Sequence, residues 1–331
     1  MNELQMIYDE KDLFLYCQSL RLSKDKSILQ GKMEKEKKEE GESLSFKQKA
    51  GNAFKEARRR LRGYDRKKAL IEGNLASFSS KNPSCPDLPI AKELLVKLFA
   101  GDPYGASKLT FAITILLDKE YEYAYPKEGV EEVSSFLYGN PKEMEGIFAS
   151  LKENYRDVSP KALSNVQKAA LFGVALAAST GALLVPLLSS AGAGAAITGA
   201  SLAAMGMGEV KLGVGVLSAE SLLFAASLVG ATYTGMKLYN EEKVKKQFRR
   251  LSPEKGAMYL AIQCVYISRL KKNLKESEFK ERLDEILKGV NTLKGDLDYY
   301  YFVEKDDLNN NKAKLRSFHN FDAKLAKMLD L

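Results

Sequence analysis

Few residues of this 331-residue chain have the types and spacing that support chemistry. Tyr104-Gly-Ala-Ser107-Lys108 places a phenol four residues before an amine, an arrangement in which the phenol can act as general acid. Asp296-Leu-Asp298, followed by Tyr299, Tyr300 and Tyr301, offers two carboxylates of the kind that hold a divalent cation. His319, in Ser-Phe-His-Asn-Phe, is the single His, and Cys stands only at 17, 85 and 264. That inventory argues against a His-based triad, a His or Cys zinc site of the usual ligand count, and an iron–sulfur cluster. The Cys are too far apart for CxxC pairs, so structural thiols in a reduced compartment are the simplest reading.

Each candidate also has a plain structural reading. The first string resembles the YxxxK motif of short-chain dehydrogenases, but that family needs a glycine-rich dinucleotide turn after an N-terminal strand. Residues 1–100 offer none, so Tyr104 and Lys108 are expected to open a helix. Asp296 and Asp298 resemble the DxD metal motif of glycosyltransferases, which sits on a loop of an α/β sheet. This chain shows no alternating strand pattern, and the two Asp are expected at a helix start with the Tyr residues partly buried. His319 reads as a surface or capping residue. GxxxxGK[ST] and HExxH are absent. The expectation is a non-enzymatic protein with no catalytic residue, metal or cofactor.

Charge is more informative. The formal net charge is +8, and between Lys47 and Lys68 ten Lys and Arg face only Glu56 and Asp65, so this segment alone equals the whole. Arg58, Arg59, Arg60, Arg62, Lys67 and Lys68 on this stretch, with Lys245, Lys246, Arg249 and Arg250 later on, are candidate contacts for anionic lipid, where each cation contributes about 1 kcal/mol. Nucleic acid is not favoured, because the interleaved Phe46, Phe54 and Tyr64 fall on the apolar face. The N-terminus carries Glu3, Asp9, Glu10 and Asp12 and reads as neither a secretory signal nor a transit peptide.

The elements that carry these residues are helical. Apolar residues recur at three- and four-residue steps over 1–30, a mixed-charge run at 31–42 reads as a mobile linker or exposed helix end, and a basic helix spans 43–72. Asn82 to Pro89 holds three Pro and must break it. Further helices are expected near 90–100, 106–119, 129–138 and 141–156, and after 238 from a Ser-Pro-Glu-Lys start at 252–255, near 276–290 and at 311–330. The fold class is all-α, a multi-helix bundle divided into an N-terminal region 1–160, a central block 165–238 and a C-terminal region 239–331.

The block dominates the reading. From Ala169 to Gly208 there are 40 consecutive residues without a charge, and from Leu212 to Met236 only Glu220 interrupts. A membrane helix needs about 20 apolar residues, so two passes fit. Leu171, Phe172, Leu183, Leu184 and Leu187 belong to a first pass whose Leu, Phe and Val gain roughly 3–5 kcal/mol on insertion. Leu222, Leu223 and Phe224 belong to a second, which Glu220 opposes by about 2.5–3.5 kcal/mol when ionised. Glu220 is thereby the acid-sensitive residue of the block. Small-residue ridges that include Gly173, Gly181, Gly192, Ala196, Gly199 and Ala203 allow close helix packing or a homo-oligomer.

Lys161 and Lys168 precede the block, and Lys237, Lys243, Lys245, Lys246, Arg249 and Arg250 follow it. Positive charge on both sides favours an even number of passes with both termini cytosolic. The order of elements, an apolar hairpin within amphipathic helices, resembles the colicin-type pore-forming domain. The leading expectation is a Gly/Ala-rich hydrophobic hairpin that anchors the protein in a membrane, in a setting such as a bacterial effector at host membranes. A pore-forming toxin and a soluble helical scaffold with a buried hairpin and a protein partner are the alternatives.

Overall fold

The computed structural model describes residues 3–43, 50–100, 104–117, 126–160, 241–251, 253–303 and 308–330. The chain is all-α, and no strand occurs among the described residues. Ten helices are described: α1 (Glu3–Ser43), α2 (Ala50–Lys81), α3 (Leu88–Phe99), α4 (Ala106–Leu117), α5 (Pro126–Tyr138), α6 (Glu143–Val158), α7 (Glu241–Arg250), α8 (Pro253–Asn273), α9 (Glu276–Val303) and α10 (Leu308–Leu329). The candidate hairpin at 165–238 lies outside the described residues.

The punctuation falls where Gly and Pro require it. The chain turns at 82–87, where Asp87 accepts a hydrogen bond from the Ile90 amide at 3.1 Å and Pro89 occupies the first turn of α3. α8 begins at Pro253. Of the two readings of 31–42, the exposed helix end holds: the run closes one 41-residue helix, because Glu and Lys are good helix formers and Leu29 and Met33 pack on Ile71 of α2. One sequence expectation is corrected: Asp296 and Asp298 lie inside α9 and not at a helix start, since Leu283, Ile286, Val290, Leu293 and Leu297 carry the buried stripe up to them and the helix runs on to Val303. Of the adjacent Tyr residues, Tyr299 is exposed.

One hydrophobic core joins the regions on both sides of the apolar block. It runs from Leu13, Phe14 and Cys17 of α1 through α3 to α6 and on to Phe248, the whole inner length of α8, and Phe318 and Phe321 of α10. α8 is buried on all sides from Gly256 to Ile267, so it is the central helix, packed on α6 and α10. Burial pushes the Cys264 thiol up to about 12, and the Cys17 thiol and the Tyr259 hydroxyl are also raised by burial.

α8 also carries a cost. Gln263 is fully buried, and among the described residues neither its amide nitrogen nor its amide oxygen has a hydrogen-bond partner. A buried, unpaired polar group costs about 1–3 kcal/mol. Gln263→Met keeps the length of the side chain and removes both orphans. It is expected to stabilise the protein by about 1–2 kcal/mol, raising Tm by several degrees in a thermal melt. An unchanged or lowered Tm would show that the amide is satisfied in solution.

The direction of each helix follows from its contacts. Phe14 and Arg21 of α1 meet Phe111 and the Ile115 carbonyl of α4, so these two helices are parallel. Tyr16 meets Phe136 and Lys24 pairs with Glu132, so α5 runs opposite to α1. α5 approaches α1 closely: a Cβ at Gly129 would stand 2.8 Å from Cγ of Arg21. α6 returns after the turn at 139–142. Arg269 pairs with Glu143, Lys324 with Asp157 and Lys271 with the Met328 carbonyl, so α8 and α10 both run opposite to α6. α1, α4, α6 and α9 therefore point to one end of the bundle, from which α5, α8 and α10 start.

Candidate functional site

That end is where α6 finishes, before residue 161, and where the last turn of α7 is held. α6 terminates in Ser159, whose amide and hydroxyl both donate to the Tyr155 carbonyl, at 2.9 and 2.6 Å. The carbonyls of Val158 and Ser159, which the helix itself leaves open, both accept from Asn320 Nδ2 at 3.2 Å. Lys324, one turn further along α10, pairs with Asp157 at 2.8 Å and Glu153 at 3.3 Å, a cation at the negative end of α6. Burial works to raise the pKa of Asp157, but Lys324 and Arg156 outweigh it and hold the carboxyl below its ordinary value.

The returning chain is fixed to the same helix. Phe248 of α7 is buried between Tyr259 and Phe318, with ring centroids 5.2 and 5.6 Å away. The Arg249 carbonyl accepts from Lys314 Nζ at 2.6 Å, and Lys314 is only 1% exposed. Gly256 makes room for this lysine, since a Cβ there would come within 3.2 Å of its Cγ. The Arg249 guanidinium sits 2.7 Å from both carboxylate oxygens of Asp296 and 3.9 Å over the Tyr300 ring. Lys314 and Asn320 are six residues apart, or about 9 Å along α10. One helix thus holds the end of α6, next to residue 161, and the last turn of α7, nine residues after residue 240.

The basic candidates divide into two groups. Arg58, Arg59, Arg60 and Arg62 lie on α2 with Lys67, which is exposed, and Lys68, which is half-buried and 3.9 Å from Glu72. On α7, Lys246 is exposed and Arg250 closes the helix. Lys245 is held by Glu241 at 2.6 Å and Glu242 at 3.3 Å, and the Glu241 hydrogen bond raises its pKa against the effect of burial. Arg249 is committed to Asp296. The membrane-inserting candidates Leu171, Phe172, Leu183, Leu184, Leu187, Leu222, Leu223 and Phe224, the packing candidates Gly173, Gly181, Gly192, Ala196, Gly199 and Ala203, and Glu220 lie outside the described residues.

The discarded motifs have structural employment. Arg282 stacks 4.0 Å over the Tyr104 ring, and Lys108 lies 5.0 Å over Tyr138, its pKa lowered by burial and by Arg269. Asp296 is the partner of Arg249, and His319 is exposed. Among the described residues no group of three or more His, Cys, Asp or Glu is placed to hold a metal ion, and no helix is long and apolar enough to cross a membrane. Lys314, Asn320 and Gly256 escape a reading by motif. One signal was present: Asn311, Lys314, Phe318, Phe321 and Leu325 keep the spacing of one buried helix face, so a lysine occupies a core position.

No protein-family model, no curated protein and no solved structure matches the chain.

Proposed function

We propose that this protein is a membrane-anchored, non-enzymatic helical protein in which residues 165–238 enter the bilayer as a hairpin and the flanking helices remain together on one face, the cytosolic one, as a single bundle. The observation that carries the reading is that α10 holds the flanking helices on both sides of the apolar segment, α6 through Asn320 at Val158 and Ser159 and α7 through Lys314 at Arg249. A segment that leaves and re-enters one folded body crosses the bilayer an even number of times. The lysines and arginines on both flanks favour the same arrangement by an independent physical route. The single core that joins α1 and α3–α6 to α7–α10 supports a bundle that holds without the segment it encloses in sequence.

The test compares the full chain with one in which 161–240 is replaced by a twenty-residue Gly/Ser linker, whose root-mean-square span is about 25 Å. The full chain is expected to stay with membranes after alkaline carbonate, and the replaced chain to be soluble, helical by circular dichroism and cooperative in melting. Protease protection is expected to place both termini on one face. Extraction of the full chain by carbonate, or termini on opposite faces, would refute the anchor. Leakage of dye from vesicles at low pH, abolished by Glu220→Gln, would instead favour the pore-forming reading.

A further inference from the structure

We infer that the α1/α2 hairpin is a basic arm that docks on the anionic lipid surface beside the two stems of the apolar segment; this rests on the anchor reading and names a second contact of the same end of the bundle.

The arm is defined by where packing on the bundle stops. Among the described residues α1 gives nothing to the main core beyond Leu20, and Arg21, Lys24 and Asp25 meet α4 and α5. Further along, Leu29 and Met33 join Ile71, Tyr64 and Leu75 of α2 in a cluster separate from the main core. α1 continues to Ser43, so the pair extends about 25 Å past Asp25 at 1.5 Å per residue. α1 points toward the end where α6 terminates and the last turn of α7 is held, and the arm therefore leaves the bundle at the end to which both flanking helices are fixed. Hydropathy along the chain does not reveal this juxtaposition.

Charge identifies the occupant. Residues 32–68 hold fourteen Lys and Arg against seven Asp and Glu, a net of +7, leaving +1 for the remainder of the chain. Among the described residues the arm's apolar cluster is Leu29 and Met33 with Ile71, Tyr64 and Leu75. A surface of this kind has little to offer an apolar groove and much to offer a layer of anionic headgroups, where each basic residue contributes on the order of fivefold in partitioning. The surface is the leaflet that the stems enter.

The experiment uses the full chain synthesised in the presence of vesicles, either neutral phosphatidylcholine or phosphatidylcholine with one-third phosphatidylserine, separated by flotation. Three proteins are compared: the unchanged chain, an arm variant (Arg58, Arg59, Arg60 and Arg62 to Gln), and a variant with the same charge change at the far end (Lys81, Lys272, Lys275 and Lys280 to Gln). Phosphatidylserine is expected to strengthen binding of the unchanged and far-end proteins, and the arm variant to lose at least about 50-fold of that gain, with 0.5 M salt having the same effect. The carbonate-resistant fraction on neutral vesicles reads the anchor alone and is expected to be equal in all three. Equal loss in the arm and far-end variants would overturn the proposal, since net charge would then suffice. Displacement from phosphatidylserine vesicles by a stoichiometric RNA duplex would overturn it in favour of a polynucleotide partner. Loss of the carbonate-resistant fraction on neutral vesicles with the arm effect intact would refute the anchor and leave the arm standing.

Discussion

Phe318→Ala is expected to destabilise the protein by about 3–5 kcal/mol, the cost of truncating a fully buried aromatic side chain. Phe318 is 0% exposed and packs on Phe248, which in turn meets Tyr259 edge to face at 5.2 Å. It stands on α10 between Lys314, which holds Arg249 of α7, and Asn320, which holds Val158 of α6. The prediction therefore has a global and a local part. Denaturation followed by circular dichroism should show the global cost, and limited trypsinolysis should show faster cleavage around Arg249 and Arg250. Phe111→Ala is the control: Phe111 is 1% exposed and packs against Phe14 and Phe99, away from α7 and α10. It is expected to cost a similar amount and to leave tryptic cleavage of α7, measured well below the melting transition, nearly unchanged. Equal acceleration by the two variants would mean that α7 opens only with the whole bundle.

Local periodicity made much of this fold legible. The stops at 82–89, at 139–141 and before Pro253 depend on Gly and Pro conformations that act within a few residues, and the helices between them lie close to where those signals place them. Which of the two readings of 31–42 holds, mobile linker or exposed helix end, was not legible because the deciding contacts are on another helix. The run's own composition is that of a solvated linker, and the contacts of Leu29 and Met33 with Ile71 span about forty residues. Asp296 was misplaced for the same reason, since its role is defined by Arg249, 47 residues away. The charge of the candidate site was legible residue by residue. Its location was not, because the shared end of the arm and the stems depends on helix directions set by pairs such as Lys24 with Glu132, Arg269 with Glu143 and Asn320 with Val158.

Asp296→Asn is the second large effect expected, about 2–3 kcal/mol of destabilisation. The Asp296 side chain is 10% exposed and that of Arg249 19%, so the pair is largely withdrawn from water. Removing one charge of a buried pair leaves the other uncompensated, which costs about 3–5 kcal/mol when burial is complete. Two features reduce it here. Arg249 keeps some access to solvent, and its guanidinium keeps the Tyr300 ring at 3.9 Å, a contact worth about 0.5–2 kcal/mol. The hydrogen bond from Lys314 to the Arg249 carbonyl depends on backbone position and not on the charge, so it should survive as long as α7 stays docked. A double-mutant cycle with Arg249→Met and Asp296→Leu separates these contributions. The single variants are expected to be costly and the double variant to recover most of the loss, because an apolar pair of similar volume needs no compensation. If the double variant is as unstable as the sum of the singles, the two side chains act independently and α7 is held by Phe248 and Lys314 alone. Recovery would assign the ion pair a narrower part: it penalises any arrangement in which α7 leaves α9, which neither Phe248, packed on α8 and α10, nor the hydrogen bond from Lys314 of α10 can do.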